Sequence, residues 1–127
     1  MPAPYRYAVV RIVPRVDREE FINAGVIVFS PERRYLRAET RLDPTRLCAL
    51  WPALEADLVK RHLEALQRIA AGDEAGGPIA RLALKERFHW LTAPRSTVIQ
   101  CSPVRTGLSE NLEDELQRLT REVVDQT

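Results

Sequence analysis

The chain has 127 residues, 45% of them apolar and 29% charged, and carries a formal net charge of +1. That length fits one domain, residues 1–127, able to bury a core without disulfide staples. A charge so close to zero gives no global electrostatic case for nucleic acid, and no window approaches the ~18 apolar residues of a membrane helix.

The opening "MPAPYRYAVV" lacks the long apolar stretch of a secretory signal. Cys48 and Cys101 show no metal-type spacing, so a cytoplasmic protein with reduced thiols is expected. Tyr5 to Val13 alternates and is rich in β-formers, which predicts a first strand stopped by Pro14. A polar connection, "PRVDREE", leads to a second strand from Ile22 to Phe29. "SPERR" is turn chemistry, with Pro31 presetting φ after Ser30. "YLRAET" alternates Leu36 and Ala38 with Arg37 and Glu39, a third strand with one wet face. Strands joined by short polar links predict an antiparallel meander.

Helices follow. Asp43 and Pro44 form a cap and first-turn pair that opens a short helix through Trp51. Pro52 is placed to start the next, whose apolar stripe is Leu54, Leu58, Val59, Leu63, Leu66 and Ile69. "AGDEAGGP" breaks it. Ile79 to Leu91 reads either as a short helix or as an extended edge, ended by Pro94. "STVIQCS" is a fourth strand, stopped by Pro103. Asn111, with Asp114 three residues on, caps a last helix that repeats Leu112, Leu116, Leu119 and Val123. The class is α+β: an antiparallel sheet of about four strands with helices packed on one face.

Two constellations stand out. Strand periodicity puts Asn23 on a face with Phe21, Gly25, Ile27 and Phe29, and Arg11 on a face with Tyr7, Val9 and Val13. Each apolar face thus holds one polar group that needs partners. Structurally, Asn23 would tie down a loop, Arg11 would pair with Glu19 or Glu20, and Gly25 would mark a bulge. Functionally, Gly25 would leave room for a ligand in a small polar pocket. The second constellation, "RFHWLTAPRST", gathers Arg87, His89, Trp90, Arg95 and Ser96. Arg95 and Ser96 could hold an anion by fork and hydroxyl, Trp90 could stack, and His89 could act near neutral pH. Alternatively Phe88, Trp90 and Leu91 are core, and Arg95 caps a helix carboxyl end.

Other signals are thinner. His62 sits at helical spacing from Leu58 and Leu66, as a stripe-edge residue would. Asp17, Glu19 and Glu20 read as a solvated turn more readily than as a cation site. "AGGP" lacks the Lys and Ser/Thr of a phosphate loop, and no nucleophile–base pair is visible. Neither metal nor cofactor is called for. Residues 78–108 hold five basic residues against one acid, and residues 109–127 hold six acids against two Arg; the two segments would complement each other in the fold.

"YAVVRIVPR", "EFINAGVIVF", "GGPI", "RFHWLTAPRSTVIQ" and "SPVRTGL", in that order, resemble the bacterial domain-of-unknown-function family 3037 over nearly the whole chain. The resemblance transfers no activity and no catalytic residue. It implies a stand-alone small protein often encoded beside a kinase-like protein similar to the toxin of a toxin–antitoxin pair. Similar proteins often have histidine at the position of Arg105, so no titrating imidazole is expected there. The reading that results is a non-catalytic binding or accessory module for a protein partner such as that kinase-like neighbour. The alternative is a small enzyme or sensor of an anionic, phosphate-bearing ligand. The binding candidates are Arg11, Asn23, Gly25, His89, Trp90, Arg95, Ser96 and Arg105.

Overall fold

The structure is a computed structural model that describes residues 1–14, 20–52, 55–95 and 97–125. Among the described residues there are five strands: β1 (Ala3–Ile12), β2 (Ile22–Ser30), β3 (Tyr35–Thr40), β4 (Ile99–Cys101) and β5 (Arg105–Ser109). All pairs are antiparallel, in the order β3-β2-β1, with β4 and β5 lying end to end along the other side of β1. The expected meander of the first three strands and their antiparallel pairing are both observed. β5 was not expected from strand patterning. It carries a glycine and polar residues, and its pairing with β1 is non-local. Ser102 joins the two end-to-end strands: its N–H donates to Val9 O at 2.8 Å and its hydroxyl accepts from Val9 N at 2.8 Å.

The helices are α1 (Pro44–Leu50), α2 (Ala56–Ala71), α3 (Leu84–Thr92) and α4 (Leu112–Thr120), the last running on into a π-turn at Arg121–Asp125. Asp43 caps α1 by accepting from Arg46 N at 3.1 Å, and Asn111 caps α4 by accepting from Asp114 N at 3.0 Å. α2 begins at Ala56 rather than at Pro52, and Leu54 lies outside the described residues. The ambiguous segment resolves into a short 3-10 turn, Pro78–Arg81, followed by α3. Ala93 is extended, as a residue before proline tends to be. No helix among the described residues is long and apolar enough to cross a membrane.

The helices do not share one face, which corrects the expected single covering. Val10, Ile12, Ile27, Phe29 and Leu36 pack with α1, α2 and α3 on one side. Tyr5, Val26 and Val28 pack with Leu112, Leu116 and Leu119 of α4 on the other. β2 is therefore covered on both faces, and this accounts for its unbroken apolar run Val26–Phe29, every residue of which is buried. The α+β class stands.

α4 is held by charge as well as by burial. Glu115 accepts from Arg118 Nε at 2.7 Å and from Arg118 Nη2 at 2.9 Å, and it also accepts the Tyr5 hydroxyl. Tyr35 donates to Glu113 Oε2 at 2.8 Å. Glu113 and Glu115 are thus engaged by β3, β1 and their own helix, while most of the basic segment 78–108 lies across the sheet. The Arg118 fork, followed by the Tyr5 hydrogen bond, outweighs burial and holds the Glu115 carboxyl below its usual 4.5. A carboxyl depressed on folding stabilises the fold above its unfolded pKa, and that contribution fades as pH falls through the folded value. Urea titrations should therefore show Glu115→Gln weakened at pH 7. Below about pH 4.5 the variant should lose stability less steeply than the wild type.

Candidate functional site

An apolar groove of about 490 Å³ lies between α2 and the α3–β4 segment. A volume of a few hundred Å³ with apolar walls and few polar groups is typical of binding clefts. One wall is α2, where Leu58, His62, Ala65 and Ile69 run up a single helical stripe. The other wall is Trp90 and Leu91 of α3, and Thr97, Val98 and Ile99 close the end towards β4. Leu58 is 48% exposed and Trp90 39% exposed, so each wall presents a large apolar side chain to solvent.

Among the described residues of this lining, Arg95 and His62 are the charged or titratable side chains, and no carboxylate accompanies them. The Arg95 guanidinium lies 4.2 Å from the centre of the Trp90 ring, and one of its nitrogens donates to the Trp90 carbonyl in the last turn of α3. Arg95 thus caps the helix and stiffens the indole, with the rest of its fork left at the groove mouth. His89, on the same helix, does not line the groove; it is exposed and tilts against Phe88 with ring centroids 6.4 Å apart. Ser96 lies outside the described residues. Behind the groove, the Cys101 thiol donates to Leu91 O at 3.4 Å, and burial pushes its pKa up to about 11, which leaves it a neutral thiol at pH 7.

Arg11, Asn23 and Gly25 belong elsewhere. Val10 pairs with Gly25 and Arg11 with Asn23, so Ala24 is a bulged residue in β2. The bulge flips the strand's parity. Gly25 faces the α2 side with Ile27 and Phe29, whereas Asn23 faces the α4 side, which corrects the shared face expected from strict alternation. Gly25 marks the bulge, as the structural alternative had it. It does not open a pocket: a Cβ there would lie 2.7 Å from the carbonyl oxygen of Glu39 in β3.

Asn23 Nδ2 donates to Val123 O at 2.9 Å, tying β2 to the π-turn that ends α4. Arg11 lays its guanidinium 4.2 Å from the Phe21 ring centre on the same face. Arg11 Nε and Asn23 Oδ1 are buried with no hydrogen-bond partner among the described residues. The expected partner Glu19 and the neighbouring Asp17 lie outside those residues. Arg105 is exposed on β5, opposite Tyr7 and away from the groove. The described candidates therefore separate into three places, and among them only Trp90 and Arg95 meet at the groove.

Asn23→Ala should cost about 1–2 kcal/mol in chemical denaturation, because it strands the Val123 carbonyl. Binding at the groove should be unaffected, since Asn23 lies on the opposite sheet face.

Sequence reasoning placed Leu58 in the packed stripe of α2 and His62 at its edge, and passed over Thr97. A signal existed: α2 carries Leu58 and Ala65 beside the core residues Val59, Leu63, Leu66, Ile69 and Ala70. That apolar band is wider than one packed face needs.

Fold and groove together define a small α+β protein: an antiparallel sheet between two helical layers, with an open apolar cleft beside β4. The chain belongs to the family described as proteins of unknown function, DUF3037, whose profile matches residues 7–124. Comparisons with curated proteins and with solved structures returned no match.

Proposed function

We propose that the protein is a binding module that docks a protein partner in the α2/α3–β4 groove. The observation that carries this reading is the exposure of Trp90 and Leu58 on facing walls of one apolar cleft. Exposed aromatic anchors beside a pocket are where binding energy concentrates in interfaces. Charge adds a constraint. With Arg95 and His62 at the lining and no acid among its described residues, the fitting occupant is an apolar segment carrying a carboxylate.

The phosphate-ligand alternative finds less support. Arg95 spends one nitrogen on the Trp90 carbonyl, Arg11 lies on the other sheet face, and Arg105 lies on β5. These three cations do not converge.

The resemblance to a family often encoded beside a kinase-like protein makes that neighbour the first partner to test. Calorimetric titration of the purified neighbour should show binding to the wild type. Trp90→Ala and Leu58→Glu should each weaken it by more than about tenfold while leaving the melting temperature nearly unchanged. Binding that ignores both substitutions would remove the groove from the function.

A further inference from the structure

The sheet has three outer edges, and its side chains treat them differently. On β3, the outward N–H of Thr40 donates to Gln67 Oε1 at 2.7 Å, and the outward carbonyl of Leu36 accepts from Arg37 Nη1 at 2.8 Å. On β4, the outward carbonyl of Ile99 accepts from Thr97 Oγ1 at 2.8 Å. Backbone groups occupied in this way are poor templates for another strand.

β5 lacks that protection. Val9 directs both its N–H and its carbonyl at Ser102, so the odd-numbered residues of β1 face β4 and β5. Through the register these meet Arg105, Gly107 and Ser109. The N–H and carbonyl of Thr106 and Leu108 therefore point away from the sheet, and no side chain among the described residues bonds to them. No proline, lysine or bulge interrupts Arg105–Ser109. Thr106 and Leu108 share one face of β5, and carrying the alternation back one residue beyond the strand would put Val104 on that face; Val104 is 43% and Leu108 68% exposed.

We propose that β5 is a self-pairing edge: a second copy of the chain docks antiparallel along it, with the two-fold axis passing between the Thr106 residues, and the sheet runs on through both copies. Two-fold symmetry keeps each face continuous, so only registers in which residues of like face meet are allowed. In the register centred on Thr106, Val104 lies opposite Leu108 of the second copy, and Thr106 meets Thr106. Both are favourable cross-strand pairs. Arg105 then lies opposite Gly107, where no side chain opposes it. The alternative register, centred on Gly107, sets Leu108 against Thr106 and Val104 against Glu110, an apolar group against an acid. The self-complementary spacing of Val104 and Leu108 about Thr106 is what favours a second copy over a foreign strand.

The test is sedimentation equilibrium of the full chain, backed by cross-linking. A short strand-to-strand contact lies at the small end of interface sizes, so the wild type should dimerise with a Kd of about 10–100 μM. Thr106→Pro removes an outward N–H and leaves the ladder residues Arg105, Gly107 and Ser109 untouched. Leu108→Lys puts a charge on a side chain that the monomer already exposes. Both should be monomers, and Leu108→Lys should keep the wild-type circular dichroism and melting curve.

In a Cys48→Ser background, Thr106→Cys should oxidise to a covalent dimer. Val104→Cys should not, because the two copies of residue 104 are then about 13 Å apart, beyond disulfide reach. A wild type that stays monomeric to about 500 μM overturns the proposal, whether or not another protein's strand binds there. So does a dimer that survives Leu108→Lys, or one that Thr106→Cys fails to cross-link.

Discussion

Replacing Phe88 by alanine should remove about 3–5 kcal/mol of folding stability. Phe88 is 2% exposed, and its ring stacks on Phe29 with centroids 4.7 Å apart and planes at 24°. The pair joins α3 to the C-terminal end of β2, and truncation leaves a cavity that rigid sheet residues cannot collapse into. A loss of that size is a large part of the roughly 5–15 kcal/mol that holds a domain folded. In a thermal melt it should appear as a fall of roughly 10–20 °C. Trp90, two residues on along α3, gives the contrast: it faces solvent across the groove, and its truncation should barely move the melt. Two neighbours on one helix would then report different things, one the core and one the site. Equal loss of stability in both variants would mean that Trp90 is a core residue and that the groove is only incompletely filled core.

Gly25→Ala should cost about 3 kcal/mol, near the upper end for overpacking. The added Cβ would stand 2.7 Å from Glu39 O and 3.0 Å from Thr40 Cγ2. Glu39 O belongs to the β3 backbone, which cannot swing aside as a side chain could. The β2–β3 pair would have to part at Gly25 and Thr40, beside the bond by which Gln67 receives the Thr40 N–H at 2.7 Å. Equilibrium urea unfolding measures the cost, and a change below about 1 kcal/mol would show that β3 yields at this point. Gly107 offers a comparison of another kind, because its missing side chain is occupied by the ring of Tyr5 at 2.6 Å rather than by backbone. Even so, Tyr5 is buried and tied to Glu115, so its ring has little freedom to move.

Much of the fold was legible in local chemistry. Asp43 with Pro44, and Asn111 with Asp114, announced helix starts because a capping side chain and its target N–H lie within three residues of each other. Alternation in β1 announced its two faces for a similar reason: strand geometry sends successive side chains to opposite sides whatever the rest of the chain does. The leucine repeat of α4 likewise told of a buried stripe, and Leu112, Leu116 and Leu119 are all buried.

The remainder depended on groups far apart in sequence. A bulge is one surplus residue measured against a partner strand, so the flip at Ala24 that turns Asn23 towards Val123 could not be read from β2 alone. β5 is a strand because the open side of β1 accepts it and because Tyr5 fills the space over Gly107. The groove is likewise a product of assembly. Trp90 and Arg95 were visible as a constellation because they are five residues apart. Their opposite wall, Leu58 and His62, lies about thirty residues earlier and meets them only when α2 and α3 pack on the same sheet face. Residue types and short-range periodicity settle which segments bury a face and where helices start. Which faces meet, which side chains are left exposed beside a cleft, and which sheet edge stays open are settled by non-local packing, because each is a relation between segments rather than a property of any one.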